Sequence, residues 1–158
     1  MTKLFIADLH LSEARPDLTN AFIHFLATKA TQADELYILG DLFEFWIGDD
    51  EQSPLQQQIT LALKTLSEQG CRLFYSHGNR DFMIGKRFAR ECGMMLLPPI
   101  YSCEIAGEQA LLLHGDQLCT DDEAYQRFRR ITSWPWLQWI FLHLPLSRRE
   151  IGRASCRE

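Results

Sequence analysis

The sequence lacks the features that mark secreted, membrane-spanning and zinc-thiolate proteins. Its five cysteines are odd in number and none is spaced Cys-x-x-Cys, which argues against a disulfide framework and a zinc-thiolate site. No apolar run approaches the roughly 20 residues that a spanning helix needs. The first residues show neither a basic segment nor a cleavage signal for secretion. These absences predict a protein of a reducing compartment, of which the cytoplasm is the simplest.

An excess of positive charge is also missing, since the net charge of the 158 residues is −5. This charge disfavours nucleic acid as a partner, and no feature indicates an obligate protein partner. From Arg127 onward, however, seven arginines stand against two glutamates. The length and the 46% hydrophobic fraction suit one domain with its own core. The C-terminal part of this domain is therefore expected to face an anionic partner.

Short apolar runs alternate with helical stripes along the chain, which predicts βαβ units. Strands are predicted at residues 4–6, 36–39 and 72–75, with a hairpin at 101–105 and 109–113. Helices are predicted after Pro16, from Ser53-Pro54 to Gly70, over 85–92, and through Tyr125, Phe128 and Ile131. Strands that alternate with helices favour an α/β fold with a mainly parallel sheet and helices on its faces.

Residues that commonly bind metals follow the carboxyl ends of these strands. Asp8 and His10 come directly after the first strand, and we expect them to share one face because side chains two apart on a strand do so. Asp41, Asn79 and His114 come after later strands. In open α/β sheets ligands bind beyond the carboxyl ends of the strands. The sequence therefore predicts that these five side chains meet at one site.

The chemistry of this set is that of hard or borderline divalent metals. Carboxylate, carboxamide and imidazole ligands without thiolates suit Mn²⁺, Fe²⁺ or Zn²⁺. The two oxygens of Asp41 would allow it to bridge two ions. Two ions roughly 3.5–4 Å apart activate a water and neutralise a phosphoryl group during an in-line displacement. Hydrolysis of a phosphate ester or anhydride is the predicted reaction.

The ordered motifs of the chain resemble those of the calcineurin-like metallophosphoesterases. The motifs are Asp8-x-His10, Gly40-Asp41-Leu42-x-Glu44, Gly78-Asn79-x-Asp81 and His114-Gly115-Asp116. Within that superfamily, longer stretches are similar to the UDP-2,3-diacylglucosamine pyrophosphohydrolases of bacterial lipid A synthesis. These stretches are residues 5–11, 38–44, 46–50, 78–82 and 114–122.

The resemblance implies a β-sandwich core flanked by helices, with a helical cap inserted into it. Residues 1–120 would form the N-terminal part of the core, residues 121–150 the cap, and residues 151–158 have no assignment. The family pattern continues to a Gly-His-x-His motif with two further histidine ligands, which this sequence does not contain. We therefore expect an incomplete core in this chain, fewer than two tightly bound ions and no turnover by the 158 residues alone.

The implied reaction is hydrolysis of the pyrophosphate bond of UDP-2,3-diacylglucosamine to UMP and 2,3-diacylglucosamine 1-phosphate. The implied cofactor is two Mn²⁺ ions, and the implied location is the cytoplasmic side of the bacterial inner membrane, as a peripheral protein at the membrane surface. Metal roles are implied for Asp8, His10, Asp41, Asn79 and His114. Catalytic roles are implied for Asp41, Asn79, Arg80 and His114, and substrate contacts for Asn79, Arg80 and Asp122. Two alternatives remain: a metallophosphoesterase for a nucleotide or phosphoprotein, and a metal-poor binding module.

Arg80 favours cleavage of an anhydride on chemical grounds. Many metallophosphoesterases have a histidine after the asparagine, where it donates a proton to an alkoxide leaving group. Arginine cannot give up its proton. Cleavage of a pyrophosphate expels a phosphate monoester, whose second pKa is about 6, so that no general acid is required. Arg80 is therefore interpreted as a residue that grips phosphate oxygens.

Three further features have two interpretations each. His77 either supports the site or is a strand-end histidine satisfied within the fold. Asp49 and Asp50 are either a solvated loop or a support for the site. The tryptophan-rich stretch from Trp134 to Leu146 is either core or, beside basic residues, an acyl-chain or membrane contact. Glu44 and Asp116 are expected to orient metal ligands and not to bind the metal directly.

Overall fold

A computed structural model of the chain describes residues 1–118, residue 121 and residues 123–155. The strands are β1 (Lys3–Ile6), β2 (Glu35–Leu39), β3 (Arg72–Ser76), β4 (Met94–Leu96), β5 (Tyr101–Ile105) and β6 (Glu108–Leu112). The helices are α1 (Pro16–Thr28), α2 (Pro54–Glu68), α3 (Lys86–Cys92), α4 (Glu123–Thr132), α5 (Pro135–His143) and α6 (Leu146–Ser155). Short 3₁₀ turns lie at Ala30–Gln32 and Asp116–Leu118.

Four strands form a parallel sheet in the order β1-β2-β3-β4. Helices α1, α2 and α3 connect consecutive strands, which confirms the predicted βαβ units. Ile38 of β2 pairs with Ile6 of β1 and with Tyr75 of β3. This register places the carboxyl ends of the three strands side by side, and the loops that follow them are neighbours. The three-residue strand β4 was not predicted from the sequence.

The main core lies between this sheet and the three connecting helices. Leu36 and Ile38 of β2 meet Ile59 and Leu63 of α2, and none of these four side chains is exposed. The apolar stripe of α2 explains this packing, because residues four apart share one face of a helix. Ser53 caps α2 through a reciprocal pair of hydrogen bonds with Gln56. The helix therefore begins where Ser53-Pro54 predicted.

The hairpin of β5 and β6 packs against the opposite face of the sheet. The rings of Phe5, Tyr37 and Phe74 are stacked across β1, β2 and β3. Leu112 of β6 and Leu97 pack in the same cluster as Tyr37 and Phe74. This second layer agrees with the expected family core, which carries further strands on the face opposite the helices.

Helices α4, α5 and α6, the cap helices, follow the hairpin. The tryptophan-rich stretch forms α5, which begins with Pro135 at its first turn and is preceded by Trp134. Residues 151–155, which had no assignment from the sequence, continue α6. None of the helices in the described part of the chain combines the length and apolar character needed to cross a bilayer. The proposed boundary between core and cap at residue 120 stays a prediction.

Candidate metal centre and adjoining cavities

Asp8 and His10 converge, but the strand geometry expected from the sequence was wrong. Strand β1 ends at Ile6, and both residues lie in the loop beyond it with left-handed φ angles of 56° and 49°. Their backbone N–H groups donate to the carbonyl oxygens of Gly40 and Asp41 at 3.1 and 2.9 Å. His10 Nε2 then lies 4.0 Å from Asp8 Oδ1. Pairing with the loop after β2, and not alternation along a strand, brings the two side chains together.

Asp41 occupies the centre of the site and is almost completely buried, with 2% of its surface exposed. Its φ of 52° makes it the third residue of the predicted ligand set in the left-handed region. Among described residues the only other non-glycine in that region is Ala106, in the hairpin turn. Left-handed backbone is costly for side chains with a Cβ and is concentrated at functional sites. The left-handed backbone shared by Asp8, His10 and Asp41 therefore indicates a functional site.

Two imidazoles aim the same nitrogen at the Asp41 carboxylate. His10 Nδ1 lies 2.9 Å from Glu44 Oε2, and His114 Nδ1 lies 2.8 Å from the carbonyl oxygen of Leu39. Both partners are acceptors, so each Nδ1 carries the proton and each Nε2 keeps a lone pair. His10 Nε2 and His114 Nε2 each lie 3.6 Å from Asp41 Oδ2. Such outer hydrogen bonds are those that orient metal-binding histidines.

Asn79 places its carboxamide against the same carboxylate. Its amide nitrogen donates to Asp41 Oδ1 at 3.2 Å and to Oδ2 at 2.7 Å. These hydrogen bonds hold the carboxamide of Asn79 beside the buried carboxylate. The approach is possible because residue 78 is glycine: a Cβ there would lie 2.8 Å from Asp41 Cγ and closer still to Asp41 Oδ1.

The donor set fits a divalent metal. Oxygen and nitrogen atoms of Asp8, His10 and Asp41 lie within 4.8 Å of one another. Burial raises the pKa of Asp41, and the neighbouring charge of Asp81 adds to this, while the hydrogen bond from the Arg80 N–H lowers it. A carboxylate in such surroundings is compensated by a bound cation. The structure thus brings together all five predicted ligands, and their metal roles remain a proposal.

Arg80 lies at the rim of this centre with its guanidinium partly exposed. Its backbone N–H donates to Asp41 Oδ1 at 2.9 Å, and its Nη1 lies 3.7 Å from Glu44 Oε1. The guanidinium carbon stands 5.8 Å above the centre of the Phe45 ring. This contact holds the guanidinium beside the predicted metal ligands without using all of its N–H donors.

Asp81 is a supporting residue whose role sequence reasoning missed. Its side chain is fully buried, with 0% exposed. One carboxylate oxygen accepts from the N–H groups of Asp41 and Gly78, and the other from those of Leu42 and Phe43. Asp81 therefore ties the loop after β2 to the loop after β3. Its place in the Gly-Asn-x-Asp motif was the available signal.

The remaining candidate residues of the sequence analysis make contacts within the fold around the site. His77 Nε2 bonds to the carbonyl oxygen of Ile84 at 2.7 Å, which agrees with the interpretation of a satisfied strand-end histidine. Asp116 pairs with Arg129 of α4 at 2.7 Å, and its expected role in orienting a metal ligand stays a prediction. Asp49 is not a solvated loop residue, since it accepts from three N–H groups at the start of α3. Asp122 lies outside the described residues.

Two cavities meet beside Asn79, between the core loops and the cap helices. The smaller, of about 230 Å³, has a mixed lining in which His77, Asp116, Arg129 and Gln138 stand beside Phe82 and Phe128. The larger, of about 570 Å³, is mainly apolar and is lined by Phe45, Trp46, Phe82, Ile140, Phe141 and Leu144, together with Arg80 and Arg149. A molecule that reaches both cavities would place an apolar part in the larger one and could meet charged and polar groups in the smaller one.

Comparison with known proteins agrees with the resemblance found in the sequence motifs. The family model for calcineurin-like phosphoesterases matches residues 1–154, which extends beyond the motifs recognised in the sequence. A UDP-2,3-diacylglucosamine hydrolase of Tolumonas auensis is 87% identical over 94% of this chain and 61% of its own length. Relatives of the same name from Photorhabdus laumondii and Shigella sonnei are 56% and 55% identical, over 95% and 99% of this chain and 62% and 65% of their own lengths. The chain thus spans somewhat less than two thirds of these relatives.

Proposed function

Because this chain belongs to the calcineurin-like phosphoesterase family, we propose that it supplies the metal centre and substrate surfaces for hydrolysis of UDP-2,3-diacylglucosamine. The products would be UMP and 2,3-diacylglucosamine 1-phosphate, so the protein would be a metal-dependent pyrophosphohydrolase of lipid A biosynthesis. The relatives' name supports the substrate. The observation that carries the reaction type is the convergence of two histidine Nε2 atoms on Asp41, 3.6 Å from the same oxygen.

We propose two Mn²⁺ ions as the cofactor of the form that carries the two further histidines, with Asp8, His10, Asp41, Asn79 and His114 as the ligands that this chain supplies. Asp41 has one oxygen toward both imidazoles, which suits a bridging position. When bound, the ions would lower the pKa of a water and neutralise charge on phosphorus. The protein's own contribution is to hold each ligand in place: Glu44 orients His10, the Leu39 carbonyl orients His114, and Asp81 fixes the loop that carries Asp41.

Arg80 is proposed to grip the phosphate oxygens. Its guanidinium is partly exposed at the edge of the metal centre, and the Phe45 ring supports it. The planar fork matches two phosphate oxygens at once. Because the leaving group is a phosphate monoester, charge neutralisation replaces proton donation at this position. Asp122 stays a proposed substrate contact.

The two cavities suit an amphiphilic substrate. The apolar cavity of about 570 Å³ is proposed to take the acyl chains, and the cavity of about 230 Å³, whose lining includes Arg129 and Gln138, the part of the substrate near the phosphates. Both border Asn79, so the scissile bond would lie where the two environments meet. Apolar burial contributes about 0.8 kcal/mol per CH₂ group, which makes the larger cavity a source of substrate affinity.

A membrane surface is the proposed partner of the cap helices. Trp134, Trp136 and Trp139 are 45%, 56% and 61% exposed. Arg130 and Arg148 lie exposed on the flanking helices α4 and α6. Exposed tryptophan beside arginine is the pattern of elements that lie in a membrane interface with anionic lipids. We therefore propose a peripheral position on the cytoplasmic side of the bacterial inner membrane.

The experiment that tests the function is a UMP-release assay with UDP-2,3-diacylglucosamine and Mn²⁺. It is run on the 158 residues and on the same chain extended by the remaining residues of the Tolumonas auensis relative. We expect UMP from the extended form, and little hydrolysis of p-nitrophenyl phosphate. Arg80→Lys should lower kcat by about tenfold or more because lysine cannot contact two phosphate oxygens in the way a planar guanidinium does. Arg90→Lys, on the exposed face of α3, should not lower kcat. Equal rates on both substrates would instead favour a general phosphoesterase.

A further inference from the structure

Arg149 of α6 is buried to an unusual degree for an arginine, with only 2% of its surface exposed. Its Nε donates to the carbonyl oxygen of Leu144, at the end of α5, at 3.0 Å. Its Nη1 donates to the Ile47 carbonyl oxygen at 2.6 Å and to Asp50 Oδ1 at 2.8 Å, and its Nη2 pairs with Asp50 Oδ2. One guanidinium thus joins two cap helices to a loop of the core.

The loop that receives Arg149 is fixed firmly to the core. Trp46 is buried against the rings of Phe43 and Phe88, and its indole N–H donates to Asp49 Oδ1 at 3.1 Å. The same Asp49 carboxylate accepts from the N–H groups of Gly85 and Phe88 at the start of α3. Asp50 follows directly, so its position is determined by the core and not by the cap helices.

Helix α4, the first of the cap helices, is attached to the core through Asp116. Its carboxylate lies 2.7 Å from Arg129 Nε, and its carbonyl oxygen accepts from Gln126 Nε2 at 3.0 Å. Between this attachment in α4 and the one at Arg149 in α6 lies the apolar cavity, with Phe141 of α5 packed on the main core. These two attachments hold the helices whose residues line the cavity.

We propose that Asp50 and Arg149 are positioning residues, whose ion pair holds α5 and α6 over the apolar cavity and so sets its affinity for long apolar chains. The identity of those chains as the substrate's acyl groups rests on the proposed function. The position of α5 and α6 does not rest on it, because that position can be measured without substrate.

The physical basis is the cost of burying a guanidinium without a charged partner. A buried charge is tolerated when a counter-charge and hydrogen bonds satisfy it, and loss of one partner leaves an uncompensated charge. Asp50 supplies both oxygens to the fork, whereas Ile47 and Leu144 supply neutral carbonyls only. Gly48 leaves the necessary space: a Cβ there would lie 2.6 Å from Asp50 Oδ1 and closer still to Arg149 Nη1. Without the pair, α6 would have to move until water reaches Arg149.

Hydrogen exchange measured by mass spectrometry tests the position of the helices. Asp50→Asn removes the negative charge with little change in shape. Arg149→Lys keeps the positive charge but removes the planar guanidinium that contacts both Asp50 oxygens. Arg149 is buried, although 53% of the Asp50 side chain is exposed. We expect exchange in α5 and α6 to accelerate by about tenfold or more in both, because either change removes the charged two-point contact that satisfies the buried guanidinium. Exchange in β2 and β3 should not change. Arg87→Lys, at the exposed pair with Glu91, is the matched control.

Binding of diphenylhexatriene, an uncharged apolar fluorophore, tests the cavity in the same proteins. We expect about tenfold weaker binding to Asp50→Asn and Arg149→Lys than to the wild type and to Arg87→Lys. In the extended form, with the diacylated substrate, the same two substitutions should raise KM and leave kcat unchanged, since neither residue contacts the predicted metal ligands. Unchanged exchange in α6, equal acceleration in β2 and β3, or unchanged fluorophore binding would each overturn the proposal. If exchange and fluorophore binding change as expected but no UMP is released by any form, the proposed function fails and the positioning role stands.

Discussion

His10 Nδ1 lies 2.9 Å from Glu44 Oε2, and this hydrogen bond determines which nitrogen of His10 faces the metal centre. The other oxygen of Glu44 lies 3.7 Å from Arg80 Nη1. Glu44 is thus shared between a proposed metal ligand and the proposed phosphate-binding arginine. The sequence placed Glu44 among residues that orient ligands, and the geometry agrees with that interpretation.

Replacement of Glu44 by alanine should weaken metal binding. The imidazole of His10 would lose the acceptor that fixes its orientation, and loss of such outer contacts typically costs about 10–100-fold in metal affinity. Competition titration with a fluorescent chelator measures the Mn²⁺ affinity. Glu13→Ala, an exposed glutamate in the same region of the chain, is the control. An unchanged affinity in Glu44→Ala would show that His10 is oriented by other contacts.

Asp81→Ala should destabilise the fold more than most single substitutions. Four backbone N–H groups of two loops would lose their acceptor, and each buried unsatisfied donor costs about 1–3 kcal/mol. We expect the free energy of unfolding in urea to fall by about 3 kcal/mol or more. Asp17→Ala removes an exposed aspartate paired with Arg15 and should change the free energy of unfolding far less. Similar losses in both variants would contradict the role assigned to Asp81.

The contribution of Asp50 to the free energy of unfolding should be lost as the pH falls. The hydrogen bond from Arg149 lowers the pKa of Asp50 below its usual 3.8, against the effect of burial. A lowered pKa in the folded state means stability that is present above the unfolded-state pKa and is lost as the pH falls through the folded-state pKa. The difference in unfolding free energy between wild type and Asp50→Asn should therefore be constant over about pH 5 to 7 and shrink below about pH 4. A difference that persists unchanged at pH 3 would show that the charge of Asp50 is not responsible.

Replacement of Trp136 and Trp139 by serine should reduce binding to vesicles that contain anionic lipid, as measured by sedimentation. Both side chains are more than half exposed, so the free energy of unfolding should change little. Leu61→Ser removes an apolar side chain of α2 that is 67% exposed and is the matched control. If the double variant fails to fold, the stretch is core and the proposed interface is wrong. If it folds and binds vesicles normally, the membrane contact lies elsewhere.

The sequence by itself determined the parallel sheet and the members of the predicted ligand set. Short apolar runs at β1, β2 and β3 alternate with amphipathic helices, and this alternation leaves little choice of topology. Because parallel strands end at one edge, residues that follow different strands become neighbours without any knowledge of side-chain contacts. Asp41, Asn79 and His114 could therefore be grouped from their positions in the chain alone.

Only the tertiary structure decided how those residues are aimed and supported. Asp8 and His10 meet through left-handed backbone that hydrogen bonds to the loop after β2 impose, and periodicity along a strand carries no information about such pairing. The pairing of Asp50 with Arg149 joins residues 99 positions apart. Local propensity acts over a few residues, whereas burial of a charge depends on everything packed around it. For this reason the sequence named the chemistry of the site, and the packing of the cap helices on the core determined the shape of the cavity beside it.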